Sequence, residues 1–158
     1  MLKPLLTKFS TAVRESTIKR LIKVPEGYEN WKISKGALTF SQVAKHIIDL
    51  DYWTIEKIKN PSIRSIEIEG VEHLNCTREV YTKLISKLKE SLAEKLKFIE
   101  SLNDEDLERK IFDDRFNEEV SFAWIILRGN LDHEIHHRGQ IAAYLRFLED
   151  NLDTKEKI

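Results

Sequence analysis

LDHEIHHRGQIAAYL, residues 131–145, decides how the rest of the chain is read, because it holds three of the five histidines. His133 and His137 are four residues apart, so on a helix they lie on one face, one turn from each other. That spacing lets two imidazoles share one ion, and neutral imidazole nitrogens are the commonest metal ligands among side chains. His136 is adjacent in sequence to His137 but about 100° away round a helix, so it points elsewhere. Outside this stretch one more histidine, His46, is placed to join the pair.

The apolar pattern around the stretch gives the architecture. Val120, Ala123, Trp124, Leu127, Leu131, Ile141, Ala142, Leu145 and Leu148 predict a helix from about Glu118 to Asp150, with Asn117 as its cap. Their arc is too wide for one seam, which implies burial both in a bundle core and against a second subunit. Gly129 and Gly139 are each unfavourable in a helix by about 1 kcal/mol. Gly129, four before His133, leaves room beside the histidines.

Three further long helices are expected. One runs from Pro4 to Ile22 with an imperfect apolar stripe, ended by Pro25 and Gly27. The loop that follows, PEGYENWKISKGAL, carries Tyr28 and Trp31, which are expected to fold back onto the core. Thr39 and Gln42 form a capping box, flanked by Leu38 and Val43 at the staple positions. This starts a second helix, which ends near Asn60 because Pro61 disfavours helical geometry in its predecessor. His46 lies on the Val43–Ile47–Leu50 stripe of this helix and so faces the core. Thr77 caps a third helix, in which Tyr81, Leu84, Ile85, Leu88, Leu92, Leu96, Ile99 and Leu102 give the strongest helical periodicity in the chain. Residues 61–76 read as a connection, including an extended piece at Ile63–Ile68. Asn103–Phe116 reads as one helical turn and then extended chain. The expectation is an all-α four-helix bundle in a single domain, 1–158.

Composition narrows the function. The chain has 158 residues, 41% hydrophobic and 34% charged, with a net charge of −1. Residues 1–60 hold 11 Lys/Arg against 6 Asp/Glu, and residues 61–158 hold 15 against 21. This imbalance is solvated helix face rather than a field for nucleic acid or membrane. Cys76 is the only cysteine, so no disulfide framework exists. Met1–Lys23 is too charged for a signal peptide and no apolar run approaches transmembrane length. A cytoplasmic location is the default expectation.

A core histidine satisfied by one hydrogen bond is the commoner use of such a residue. Three on inward stripes of two helices shift the balance, because burying several neutral imidazoles without partners is costly and a shared ion satisfies them together. A three-histidine site leaves a Zn²⁺-like ion an open position and its full charge, which can lower the pKa of a bound water or thiol. A rival reading comes from H-E-x-x-H at 133–137, the zinc-protease pattern with Glu134 as base. Its metzincin extension fails, since positions 140 and 143 are Gln140 and Ala143. Glu134 otherwise reads as the i,i+4 partner of Arg138.

The run HEIHHRGQI resembles the terminal motif of the DinB-like superfamily of metal-binding four-helix bundles. NWKISKGALTFSQVAKHIIDLDYW, residues 30–53, is similar to that superfamily's other signature, a Trp and a short loop before a helix that carries a histidine. The resemblance spans nearly the whole chain. It implies that His46, His133 and His137 bind a divalent metal, Zn or Ni first. It further implies a homodimer and, by analogy with characterised members, chemistry on a low-molecular-weight thiol or another small-molecule substrate. A non-catalytic metal-binding or dimeric interaction protein is the alternative. Asp49, Trp53 and Asn130 are expected to line a pocket beside the ion, with Asn130 and Gln140 touching the ligands from behind. Cys76, His73 and His136 are read as structural or surface residues.

Overall fold

The computed structural model describes residues 2–64 and 74–152. Four long helical segments form a bundle: α1 Leu2–Leu21, α2 Phe40–Lys59, α3 Arg78–Ser101, and a last run that ends in α6, Asp132–Leu152. The principal contacts of α1 are with α3 and α6, and those of α2 are with α3 and with the last helical run, chiefly the part that precedes α6. The helices therefore follow one another round the bundle as α1, α3, α2, α6, and the long connection over residues 22–39 carries the chain across. In it Trp31 packs on Phe40, Tyr144 and Phe147, with ring centroids 6.1, 5.4 and 5.6 Å away. The aromatics of this loop do return to the core.

Local sequence sets the helix ends. The Thr39 hydroxyl accepts from Gln42 N at 3.1 Å, and the Gln42 amide oxygen accepts from Thr39 N at 2.9 Å, so α2 begins on a complete capping box. It stops at Lys59, with Asn60 as the cap before Pro61. Thr77 caps α3 through Val80 N. Ile66, Ile68 and His73 lie outside the described residues.

The last segment departs from the expectation. Residues 118–121 are not helical: β1, Lys110–Asp113, pairs antiparallel with β2, Glu118–Ser121, with Ile111 opposite Val120. A short helix, α4, Asp104–Glu108, precedes this hairpin. Asn117 is therefore no helix cap. It sits at φ +54° in the hairpin loop, a left-handed conformation that Asn tolerates better than most residues. The helix starts at Phe122 instead, where the Ser121 hydroxyl accepts from Trp124 N at 3.1 Å. The helical run passes from α5, Phe122–Trp124, through a π-helical turn, Ile125–Leu131, into α6. An extra residue per turn rotates everything beyond it, so a stripe extrapolated across the turn from either side falls out of register. Trp124 and Leu127, expected on the buried arc, are accordingly 44% and 37% exposed.

The core is divided in two by charge. One apolar cluster gathers Leu21, Phe40, Val43, Ile47, Tyr81, Leu84, Leu88, Ile141 and Tyr144. The other gathers Leu6, Val13, Leu50, Trp53, Ile99, Leu107, Ile125, Ile126 and Leu131. Between them Arg14, Asp51, Ser91, Lys95, Asn130 and Glu134 are all buried. Arg14 donates to both oxygens of Glu134 at 2.8 and 2.9 Å, to Asp51 at 2.7 Å and to the Leu88 carbonyl at 2.5 Å. Lys95 reaches Asp51 at 2.7 Å and the Asn130 oxygen at 2.8 Å, and Ser91 donates to Asp51 at 2.7 Å. Two cations thus face two carboxylates in a polar waist to which all four long helical segments contribute. On α3 this turns Ser91 and Lys95 inward and leaves Leu92 and Leu96 only half-buried, against the stripe read from sequence.

Candidate metal centre

His46 on α2 and His133 and His137 on α6 meet on the flank of the waist. The His46 and His133 Nε2 atoms are 2.9 Å apart, and those of His133 and His137 are 3.0 Å apart. One ring nitrogen from each of the three lies within 4.8 Å of the other two. Nitrogens ~2.1 Å from a common ion would be ~3.0 Å apart at right angles and ~3.4 Å apart in a tetrahedron. The two separations that involve His133 match a shared divalent ion, and His46 and His137 lie within reach of the same ion.

The waist aims the two α6 histidines. Glu134 is held on both oxygens by Arg14, which fixes the rotation of α6. With Glu134 turned to the waist, His133 and His137 fall together on the flank that faces α2. This corrects both readings of Glu134: it pairs with Arg14 rather than Arg138, and it is 1% exposed and bonded away from the histidines rather than poised as a base.

A hydrogen-bond chain sets the tautomer of His137. The Leu38 carbonyl can only accept, so the Tyr144 hydroxyl donates to it at 3.2 Å. Tyr144 then accepts from Gln140 Nε2 at 2.7 Å, which turns the Gln140 oxygen toward His137 Nδ1 at 2.9 Å. Nδ1 must carry the proton, and the Nε2 lone pair is left for a ligand. Outer partners of this kind tune metal affinity by ~10–100-fold. Gln140→Leu should weaken metal binding within that range while the three histidines remain, as read by competition with a chromogenic chelator. An unchanged affinity would remove Gln140 from the site.

All three rings are neutral near pH 7. Burial, then the charges of His137 and Lys45, push His46 down to about 4. Burial, then its histidine neighbours, push His133 down to about 4. His137 is lowered by burial, against the Gln140 bond that raises it.

The remaining sequence candidates separate. Gln140 touches a ligand, as expected. Asn130 does not: it is buried in the waist against Asp51, Thr54 and Lys95. Asp49 is paired with Lys45 one turn away. His136 is exposed, and its ring lies edge-on to His137 at 5.2 Å. Cys76 is buried and burial pushes its thiol up, which makes it a poor nucleophile. Gly129 does leave a space, but Arg115 of the hairpin loop fills it: a Cβ at Gly129 would lie 2.6 Å from Arg115 Nη2. Sequence reading passed over Arg115, which lies in a charged stretch with no motif.

The DinB family profile matches residues 2–148. The chain belongs to the DinB family. Solved structures agree with the bundle. A DinB-like protein of Bacillus subtilis, YjoA, is 20% identical, with 92% of each chain covered and a TM-score of 0.67. A DinB-like protein of Bacillus cereus is 22% identical, with 88% of this chain and 87% of the other covered and a TM-score of 0.62. YfiT of Bacillus subtilis, described as a probable metal-dependent hydrolase with an unusual four-helix bundle topology, is 16% identical over 96% of this chain and 87% of its own, with a TM-score of 0.68. No curated protein matches the chain. Among the described residues no helix is long and apolar enough to cross a membrane.

Proposed function

We propose that this DinB-family chain is a divalent-metal-dependent enzyme of the cytoplasm, acting on a small molecule by activating a water or a low-molecular-weight thiol. The convergence of the three Nε2 atoms of His46, His133 and His137 carries the reading. Bound there, Zn²⁺ or Ni²⁺ would supply a Lewis acid with an open position and lower the pKa of what occupies it. The protein's part is to keep three imidazoles neutral by burial, to fix one tautomer through Gln140, and to hold α6 in register through Glu134. YfiT, which has a similar fold and is described as a probable metal-dependent hydrolase, supports the water branch.

Metal removal tests this. Purified protein should carry about one equivalent of ion, and chelation should abolish hydrolytic or thiol-transfer activity, which Zn²⁺ or Ni²⁺ then restores. Protons compete with the ion only near the depressed pKa values. Metal should therefore be retained from pH 8 to near 5 and released toward pH 4. Activity that survives complete demetallation would end the proposal.

We also propose a homodimer. Leu2, Leu5 and Phe9 on α1 are 38%, 62% and 44% exposed, and α1 packs beside the π-helical turn that carries exposed Leu127. Apolar side chains gathered in this way favour a partner surface. Light scattering should give twice the chain mass of 18.6 kDa at micromolar concentration. A mass near one chain would count against it.

A further inference from the structure

Arg115 sits in the loop between β1 and β2, far in sequence from the histidines, yet three contacts fix its guanidinium on the seam between α2 and the π-helical turn. Asp113 takes one edge: Nε donates to Oδ1 at 3.0 Å and Nη2 to Oδ2 at 2.6 Å. Trp53 supports one face, with Cζ 4.0 Å from the ring centroid, and Trp53 is itself held by its Nε1 donating to the Arg64 carbonyl at 2.9 Å. Gly129 lies against its tip, where any Cβ would be 2.6 Å from Nη2 and 3.0 Å from Nη1. The gap at Gly129 therefore admits an arginine, and Gly129 is one turn before His133, ~6 Å along the helix. Trp53 is seven after His46, on the same side of α2.

Its Nη1 has no hydrogen-bond partner among the described residues, and the side chain is 21% exposed. A guanidinium fixed on one edge and one face, with one nitrogen open about one turn from a metal site, is pre-organised for an anion. Of the other basic groups nearby, Lys45 is taken by Asp49, and Lys57 by the Pro61 and Ile63 carbonyls. Because Asp113 neutralises part of the charge and only Nη1 remains, a monoanion suits the site better than a phosphate dianion.

We propose that Arg115 is a specificity-determining residue: it binds a carboxylate of the small molecule whose reacting end occupies the metal centre, so the substrates are acids. This rests on the metal-centre reading above. A carboxylate a few bonds from the metal-bound atom would span the ~6 Å of helix between Gly129 and His133.

Cobalt-loaded protein tests both separately. Co²⁺ stoichiometry is measured first, and then 3-mercaptopropionate and its methyl ester are titrated while the cobalt–thiolate absorption is followed. The two probes differ in the carboxylate alone, and the ratio of their affinities is the readout. A charge-assisted hydrogen bond makes that ratio larger by about ten-fold than in protein without the arginine contact. Arg115→Met should remove the preference, and Arg115→Lys should keep part of it. Gly129→Ala retains the arginine but displaces its tip, and should also remove the preference, which keeps the test valid if Arg115→Met folds poorly. A merely structural arginine would change melting temperature and leave the ratio alone. Full Co²⁺ loading with the same ratio in all four proteins overturns the inference and spares the metal centre. Failure of the wild-type protein to bind Co²⁺ overturns both.

Discussion

Arg14→Ala should cost ~3–5 kcal/mol of folding stability, a large share of the ~5–15 kcal/mol available to a domain of this size. Arg14 is fully buried and makes the ion pairs that join α1 to α2 and α6. Burial works to raise the Asp51 pKa, yet Lys95 and Arg14 bring it down to about 2, so the carboxylate is ionised at every working pH. Without Arg14, Asp51 and Glu134 would share the single charge of Lys95, which lies 2.7 Å from one and 4.0 Å from the other. One buried negative charge would then stand uncompensated, and the truncation would add a cavity. Urea unfolding followed by circular dichroism measures the loss. The double variant Arg14→Met with Glu134→Leu should recover part of it, because removing both partners is cheaper than stranding one. A loss below ~1 kcal/mol for Arg14→Ala would mean that water or rearrangement compensates the waist, and that the rotation of α6 is set by apolar packing alone.

That waist shows where the sequence was legible and where it was not. Helices α2 and α3 could be read because their start signals are local: Thr39 with Gln42, and Thr77. His46 and the His133–His137 pair could be placed on inward faces because the neighbouring stripe is apolar on both sides. The waist was hidden by the same logic. Arg14, Ser91, Lys95 and Glu134 occupy inward positions that a hydrophobic pattern scores as outward. The signal was the coincidence of interruptions: a basic residue in α1 and in α3, and an acidic one in α2 and in α6, at one level of the bundle. Pairing such interruptions requires knowing which helices are neighbours, which is tertiary information. The hairpin was lost for a related reason. Glu118–Ser121 is too short to show alternation, and its partner Lys110–Asp113 lies in a stretch read only as extended chain. The π-helical turn left no mark on the sequence at all, so Trp124 and Leu127 were placed on the wrong face.

Replacing the histidines one at a time should divide them sharply. His46→Ala, His133→Ala and His137→Ala should each lower metal affinity by more than ~100-fold, beyond the range set by outer partners, since each removes one of three protein ligands. His136→Ala should leave it nearly unchanged, because that side chain is exposed and meets the site only through the edge of the His137 ring. The fold should survive all four changes. The two apolar clusters and the waist between them do not depend on the imidazoles, and His133 is only half-buried. Metal content after dialysis, together with helical circular dichroism, reads both effects at once. The contrast with Arg14 is the informative part: truncation at the waist should strongly destabilise the whole bundle, whereas truncation at the flank should empty a site in a bundle of nearly unchanged stability. Metal loss from His136→Ala with retention in His137→Ala would place the ion on the other side of α6. The π-helical turn would then rotate that helix differently from the arrangement in which Glu134 meets Arg14.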